Sequence, residues 1–176
     1  MANQPTATPT TATSSTATPS TETGATATPT VGNAVGNAVG NAVGNAAVSE
    51  PVAISDVLDT FTDLWSPRIA GSVNDYDVRL AKVRGEHIWH THDHTDEFFL
   101  VVEGELRIGL REPAGERTVT LSKGSLFTVP RGVEHKPSAP SGAVIMLIEP
   151  TGTLTVGDRH EEVPAHVDVT TGHPLA

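Results

Sequence analysis

His90-Thr91-His92-Asp93-His94-Thr95-Asp96-Glu97 is the stretch on which the reading of this chain turns. Side chains at i and i+2 of a strand share a face, so His90 and His92 can aim their imidazoles at one point. Asp93-His94-Thr95-Asp96 is polar and suited to a turn, which brings Glu97 back on the neighbouring strand toward the same point. His135 follows the turn Pro130-Arg131-Gly132 and arrives from a distant strand. Three imidazoles and one carboxylate suit a divalent Fe, Mn, Ni, Cu or Zn ion, and an octahedral metal keeps two positions open for substrate, water or O₂. His94 extends the alternation and would replace His92 in a shifted register, but the slip also moves neighbouring side chains out of their pockets. The expected ligands are therefore His90, His92, Glu97 and His135. His87, an odd number of residues from His90, is expected to face away. His160, His166 and His173 fall in a polar tail, where exposure is the default.

Working outward, short segments rich in Val, Ile, Leu and Phe alternate with turn signals: Tyr76–Arg84, Ile88–His92, Phe98–Val102, Leu106–Leu110, Val119–Leu121, Phe127–Val129 and Val144–Ile148. Short strands at this spacing give an all-β barrel or sandwich. The continuous apolar run Phe98–Val102 predicts a strand buried on both faces. Upstream, Ile54, Val57, Leu58, Phe61 and Leu64 recur at helical spacing, predicting a short amphipathic helix over 54–64 that Ser55 and Asp56 can cap and Pro67 ends.

Residues 1–30 are almost entirely Thr, Ala, Pro and Ser, and 31–46 are four tandem Val-Gly-Asn-Ala units. Neither can bury enough apolar surface to offset a backbone ordering cost of roughly 1–2 kcal/mol per residue, so 1–50 is expected to be a disordered low-complexity arm. The boundaries that follow are an arm at 1–50, a domain at 51–160 and a flexible tail at 161–176. The chain has 176 residues, no cysteine and a formal charge of −10. Only Glu22 and Glu50 of its acids lie in the arm, so the domain itself is acidic and a poor partner for nucleic acid. Without cysteine, any metal site must use imidazole and carboxylate. No run approaches the roughly 20 apolar residues of a membrane span, and the first residues lack the basic and apolar regions of a leader; a cytoplasmic protein without membrane partners is expected. Nucleophile-elbow, P-loop, H-E-x-x-H and calcium-loop motifs are absent from the sequence.

At this point the residues resemble the cupin superfamily. Its first motif reads G-x5-H-x-H-x3,4-E-x6-G, matched by Gly85, His90, His92, Glu97 and Gly104, with four residues rather than five between Gly85 and His90. Its second reads G-x5-P-x-G-x2-H-x3-N, matched at every spacing by Gly124, Pro130, Gly132 and His135, with Ala139 in place of the terminal Asn. The helix and Trp65-Ser66-Pro67 look like small single-domain cupins described as mannose-6-phosphate isomerase-like. The resemblance implies a single jelly-roll barrel and a divalent metal (Fe, Mn, Zn or Ni). It also implies a homodimer and a metal-dependent enzyme on a small organic molecule, whether isomerase, dioxygenase or lyase. The alternative is a non-catalytic small-molecule-binding or sensing cupin. Fold and metal alone do not name a reaction, so no catalytic residue is assigned. Gly104, Gly124 and Gly132 are expected at positive φ in turns. Asp96 and Glu134, beside ligands, are read first as solvent-facing carboxylates and second as proton-transfer groups. Tyr76, Arg79, Lys82, Trp89 and Arg107 are candidates for the pocket that strand parity cannot place.

Overall fold

A computed structural model describes residues 50–175; residues 1–49, and with them nearly all of the expected arm, lie outside the described part. Helix α1, Ile54–Asp59, is shorter than 54–64. The Thr60 amide and hydroxyl both donate to the Val57 carbonyl, at 3.1 and 2.7 Å. The Lys82 ammonium donates to the Leu58 and Phe61 carbonyls, at 2.8 Å each. Carbonyls that another turn would have used are thus satisfied by side chains. The N-cap is Ala53, without a side-chain cap bond, so Ser55 and Asp56 do not cap; the Ser55 hydroxyl donates to Asp56 instead. The apolar side of the helix packs Val57 with Phe61 and Leu80.

The strands are β1 (Arg68–Val73), β2 (Tyr76–Glu86), β3 (His90–Thr91), β4 (Glu97–Glu112), β5 (Gly115–Ser122), β6 (Leu126–Val129), β7 (Glu134–Pro150), β8 (Arg159–His160) and β9 (His173–Pro174). They join in the order β5-β4-β7-β2-β1-β9, with β3 and β6 added on β7 and β4 and β8 on β3. The expected all-β cupin barrel is what forms. Two expected strands, Phe98–Val102 and Leu106–Leu110, are one strand, β4, bent by irregularities between Val101 and Glu103 and between Gly104 and Arg107. Bulges of this kind let a long strand curve round a barrel. Gly104 sits at one of them with φ 78°, where a Cβ would lie 2.4 Å from the Gly142 carbonyl oxygen. Gly124 and Gly132 also have positive φ.

Phe99, Val101, Leu106, Ile108, Ile145 and Leu147 fill the barrel. Each such side chain, fully buried, contributes roughly 1.5–3 kcal/mol. Along β4 burial alternates: Phe99 and Val101 are buried in the barrel, whereas Phe98, Leu100 and Val102 on the other face are half-buried. Val102 packs against the helix cluster.

The chain from Val156 onward, including the segment after 160 that is expected to be a flexible tail, is tied to the barrel. β8 pairs with β3 and β9 with β1. The Asp158 amide donates to the Thr91 carbonyl at 2.8 Å, and the His173 amide to the Pro67 carbonyl at 2.9 Å. Val156 and Val167 form a buried cluster with Ile88. Asp168 accepts from Ser66 Oγ at 2.7 Å and lies 2.6 Å from His173 Nε2. Most of these links are single backbone contacts, which polar residues make as readily as apolar ones. Among the described residues no helix is long and apolar enough to cross a membrane.

Candidate metal centre

β3 and β7 place His90 opposite His135 in register, and β4 begins at Glu97. With His92, just beyond β3, these side chains are buried, and one ligand atom from each lies within 4.8 Å of all the others. The four residues expected from the sequence are therefore brought together. His135 Nε2 is 2.6 Å from Glu97 Oε2, His92 Nε2 3.3 Å and His90 Nε2 3.7 Å.

Backbone carbonyls orient two of the rings. His90 Nδ1 is 3.0 Å from the Ile88 carbonyl oxygen and His135 Nδ1 3.0 Å from that of Val133. A carbonyl only accepts, so Nδ1 carries a proton in both rings, the usual outer-sphere arrangement of metal-binding histidines. His135 Nε2 donates to the Glu97 carboxylate, whereas the Nε2 atoms of His90 and His92 are buried with no hydrogen-bond partner. Unpartnered buried nitrogens beside a carboxylate are costly, and a cation between them removes the cost. The donor set of three imidazoles and one carboxylate fits a divalent first-row metal.

The charges run the same way. Burial pushes the Glu97 carboxyl up, but the charge of the adjacent His135 and its hydrogen bond, with His90 and His92 close by, outweigh it and hold Glu97 well below the usual carboxylate range. Burial drives His90 below its ordinary value. At His92 burial also pulls down, but the Glu97 carboxylate prevails and raises it.

His87 does not face away. Residues 87–89 leave the ladder after β2, where the register shifts between Val83 and Gly85, so parity counted back from His90 fails. The His87 ring is buried between Trp65, at 5.1 Å between centroids, and His90, at 5.0 Å. Its Nδ1 has no partner, and burial lowers its pKa to about 3. His94, by contrast, is exposed beside Asp96 and Arg131.

Asp96 closes the turn by accepting from the Arg131 amide and Nε, at 3.0 and 3.1 Å, and Glu134 pairs with Arg111 at 2.8 Å on the outside. Lys82 serves the helix, Trp89 lies under the Arg111 guanidinium at 4.0 Å, Arg107 pairs with Glu105, and Tyr76 is exposed. Of the five pocket candidates only Arg79 is fully buried. Its guanidinium bonds Glu149 at 2.5 Å, the Thr153 carbonyl at 3.0 Å and Asp77 at 3.3 Å. Burial and the Glu97 charge push Glu149 up to about 8, against the pull of Arg79. Sequence reasoning missed Glu149; its signal was a single acid ending the apolar run Val144–Ile148. A cavity of about 40 Å³ lies between Glu97 and Glu149, walled by Trp65, Phe99, Ile145 and Leu147, with His87 and Thr155 also on its lining.

Residues 77–150 match the family model described as Cupin domain. An uncharacterized protein of Bacillus subtilis, YdbB, is 36% identical over 84 residues, 48% of this chain and 72% of that protein. A solved cupin-2 domain containing protein from Shewanella frigidimarina is 43% identical, with a TM-score of 0.53, over 56% of this chain and 93% of that one. A solved protein from Neisseria meningitidis is 28% identical, with a TM-score of 0.51, over 57% of this chain and 99% of that one.

Proposed function

The chain belongs to the cupin superfamily, and from that premise we propose that it is a metal-dependent enzyme acting on a small organic molecule in the barrel cavity. His90, His92 and His135 hold a divalent ion through Nε2, and Glu97 holds it through its carboxylate. The observation that carries this reading is the pair of buried, unpartnered Nε2 atoms of His90 and His92 facing the Glu97 carboxylate. Bound there, the ion supplies Lewis acidity to a substrate oxygen, chemistry that serves isomerases, dioxygenases and lyases alike.

The chain's own residues do the rest. The Ile88 and Val133 carbonyls lock the His90 and His135 rings in one tautomer. Glu97 partly neutralises a divalent charge in a low-dielectric interior. Trp65, Phe99, Ile145 and Leu147 give the adjoining cavity its apolar walls.

Glu97→Gln keeps the size of the side chain and removes its charge. The variant is expected to release metal to a competing chelator with affinity lowered by at least the roughly 10- to 100-fold that loss of an outer-sphere partner costs. Its apo form should melt close to apo wild type. Equal affinity in the two proteins would take Glu97 out of the ligand set.

A further inference from the structure

We infer that the substrate's non-coordinating end is small and uncharged, and that His87 is the specificity residue that meets a hydroxyl or carbonyl on it. The inference rests on the metal-site reading and names the kind of molecule that site accepts.

Size comes first. A cavity of about 40 Å³ holds about three waters at roughly 10–15 Å³ each, so a tail of three or four non-hydrogen atoms fills it. Charge comes next. Among the described residues no Lys or Arg lines the cavity, whereas Glu97 and Glu149 both do. Among the described residues Arg79 is the one fully buried guanidinium; Glu149, Asp77 and the Thr153 carbonyl engage it, and although its Nε has no hydrogen-bond partner, Arg79 is not on the cavity lining. A carboxylate or phosphate tail would be buried beside the Glu97 carboxylate and the Glu149 carboxyl with no Lys or Arg on the lining to meet it. An ammonium tail would find Glu149 already held by Arg79 and Glu97 turned toward the histidines. Either charge loses its water without gaining a partner, which is costly. This argues against a sugar phosphate, the ligand that a mannose-6-phosphate isomerase-like label would suggest.

One residue of the lining also carries a polar atom that the described residues leave unused. His87 is 8% exposed, lines the cavity and has no partner at Nδ1. Its ring is fixed between Trp65 and His90, so it cannot swing out to find water without repacking both. Once a substrate tail displaces water from the cavity, leaving such an atom unsatisfied is costly, and a neutral hydrogen-bonding group on that tail removes the cost.

The test uses the full chain loaded with zinc and hydroxamates that share one coordinating group and differ at the tail. Calorimetry first records zinc uptake, then compares isovalerohydroxamate with the monohydroxamate of malonate, and butyrohydroxamate with β-alanine hydroxamate. The uncharged member of each near-isosteric pair is expected to bind at least on the order of tenfold tighter. His87→Phe should weaken β-hydroxypropionohydroxamate and leave butyrohydroxamate unchanged. Equal or tighter binding of either charged probe overturns the inference. So does binding of no hydroxamate by a protein that has taken up zinc, with the metal reading intact. Should the His87→Phe variant not fold, the wild-type pairs still decide the charge question, and a folded variant that binds every probe like wild type removes His87. A protein that takes up no zinc loses the metal reading and this inference together.

Discussion

Alanine at His92 deletes a buried Nε2 that lies 3.3 Å from the Glu97 carboxylate, whereas alanine at His94 deletes an exposed ring. Metal content after desalting should therefore fall sharply in His92→Ala and stay at the wild-type level in His94→Ala; the reverse pattern would mean that the register of the turn is off by two. His87 has a pH signature of its own. An unfolded histidine takes up its proton near 6.5, but burial delays protonation of native His87 to about 3. Between those values the unfolded chain binds more protons, so the stability that neutral His87 contributes is present above 6.5 and lost as pH falls toward 3. Melting of the apo proteins between about pH 7 and about pH 4 should show a shallower loss in His87→Phe than in wild type. Parallel curves would mean that His87 is not the buried neutral group described. The clustering of His90, His92 and Glu97 was legible because their spacing is a strand period on either side of a polar turn. His87 was not, because three residues outside the ladder reset the parity, and Glu149 was not, because an acid at a strand end looks solvated until its partner, seventy residues away in β2, is known.

The elements themselves were legible wherever apolar side chains alternate with turn residues. Arg79 and its neighbours in β2, the β5 and β6 strands and the core of β7 all fall where the pattern puts them. The two apolar runs of β4 were read as separate because Glu103-Gly104-Glu105 looks like a turn, while in the fold it is a bend within one strand. That bend needs glycine. At Gly104 both the positive φ and the 2.4 Å approach of the Gly142 carbonyl exclude a Cβ, so Gly104→Ala should lower the unfolding free energy by roughly 1–3 kcal/mol or more in denaturant titration. The folded fraction should keep wild-type metal stoichiometry, since Gly104 opposes Ala143, well along β7 from His135. A variant as stable as wild type would show that the close approach is not there. The segment from Thr155 to Leu175 left little pattern to read, because β8 and β9 are two residues each and the links are carbonyls, amides and the Asp168 carboxylate.

Among the described residues the aliphatic core from β4 and β7 adjoins a cluster of histidines and Glu97 that gathers where β3, the start of β4 and the start of β7 meet. The strand pairing brings His90, His92, Glu97 and His135 together from positions up to forty-five residues apart, and the segment beyond residue 155 crosses beside them through β8. The central claim is that these four side chains hold one divalent metal ion. Its most direct measurement is anomalous diffraction from crystals of the purified protein, collected at the absorption edge of the metal that elemental analysis finds. The expected result is a single anomalous peak at roughly 2.0–2.2 Å from Nε2 of the three histidines and from a Glu97 carboxylate oxygen. A peak elsewhere, or none among these four residues in metal-loaded crystals, would contradict it.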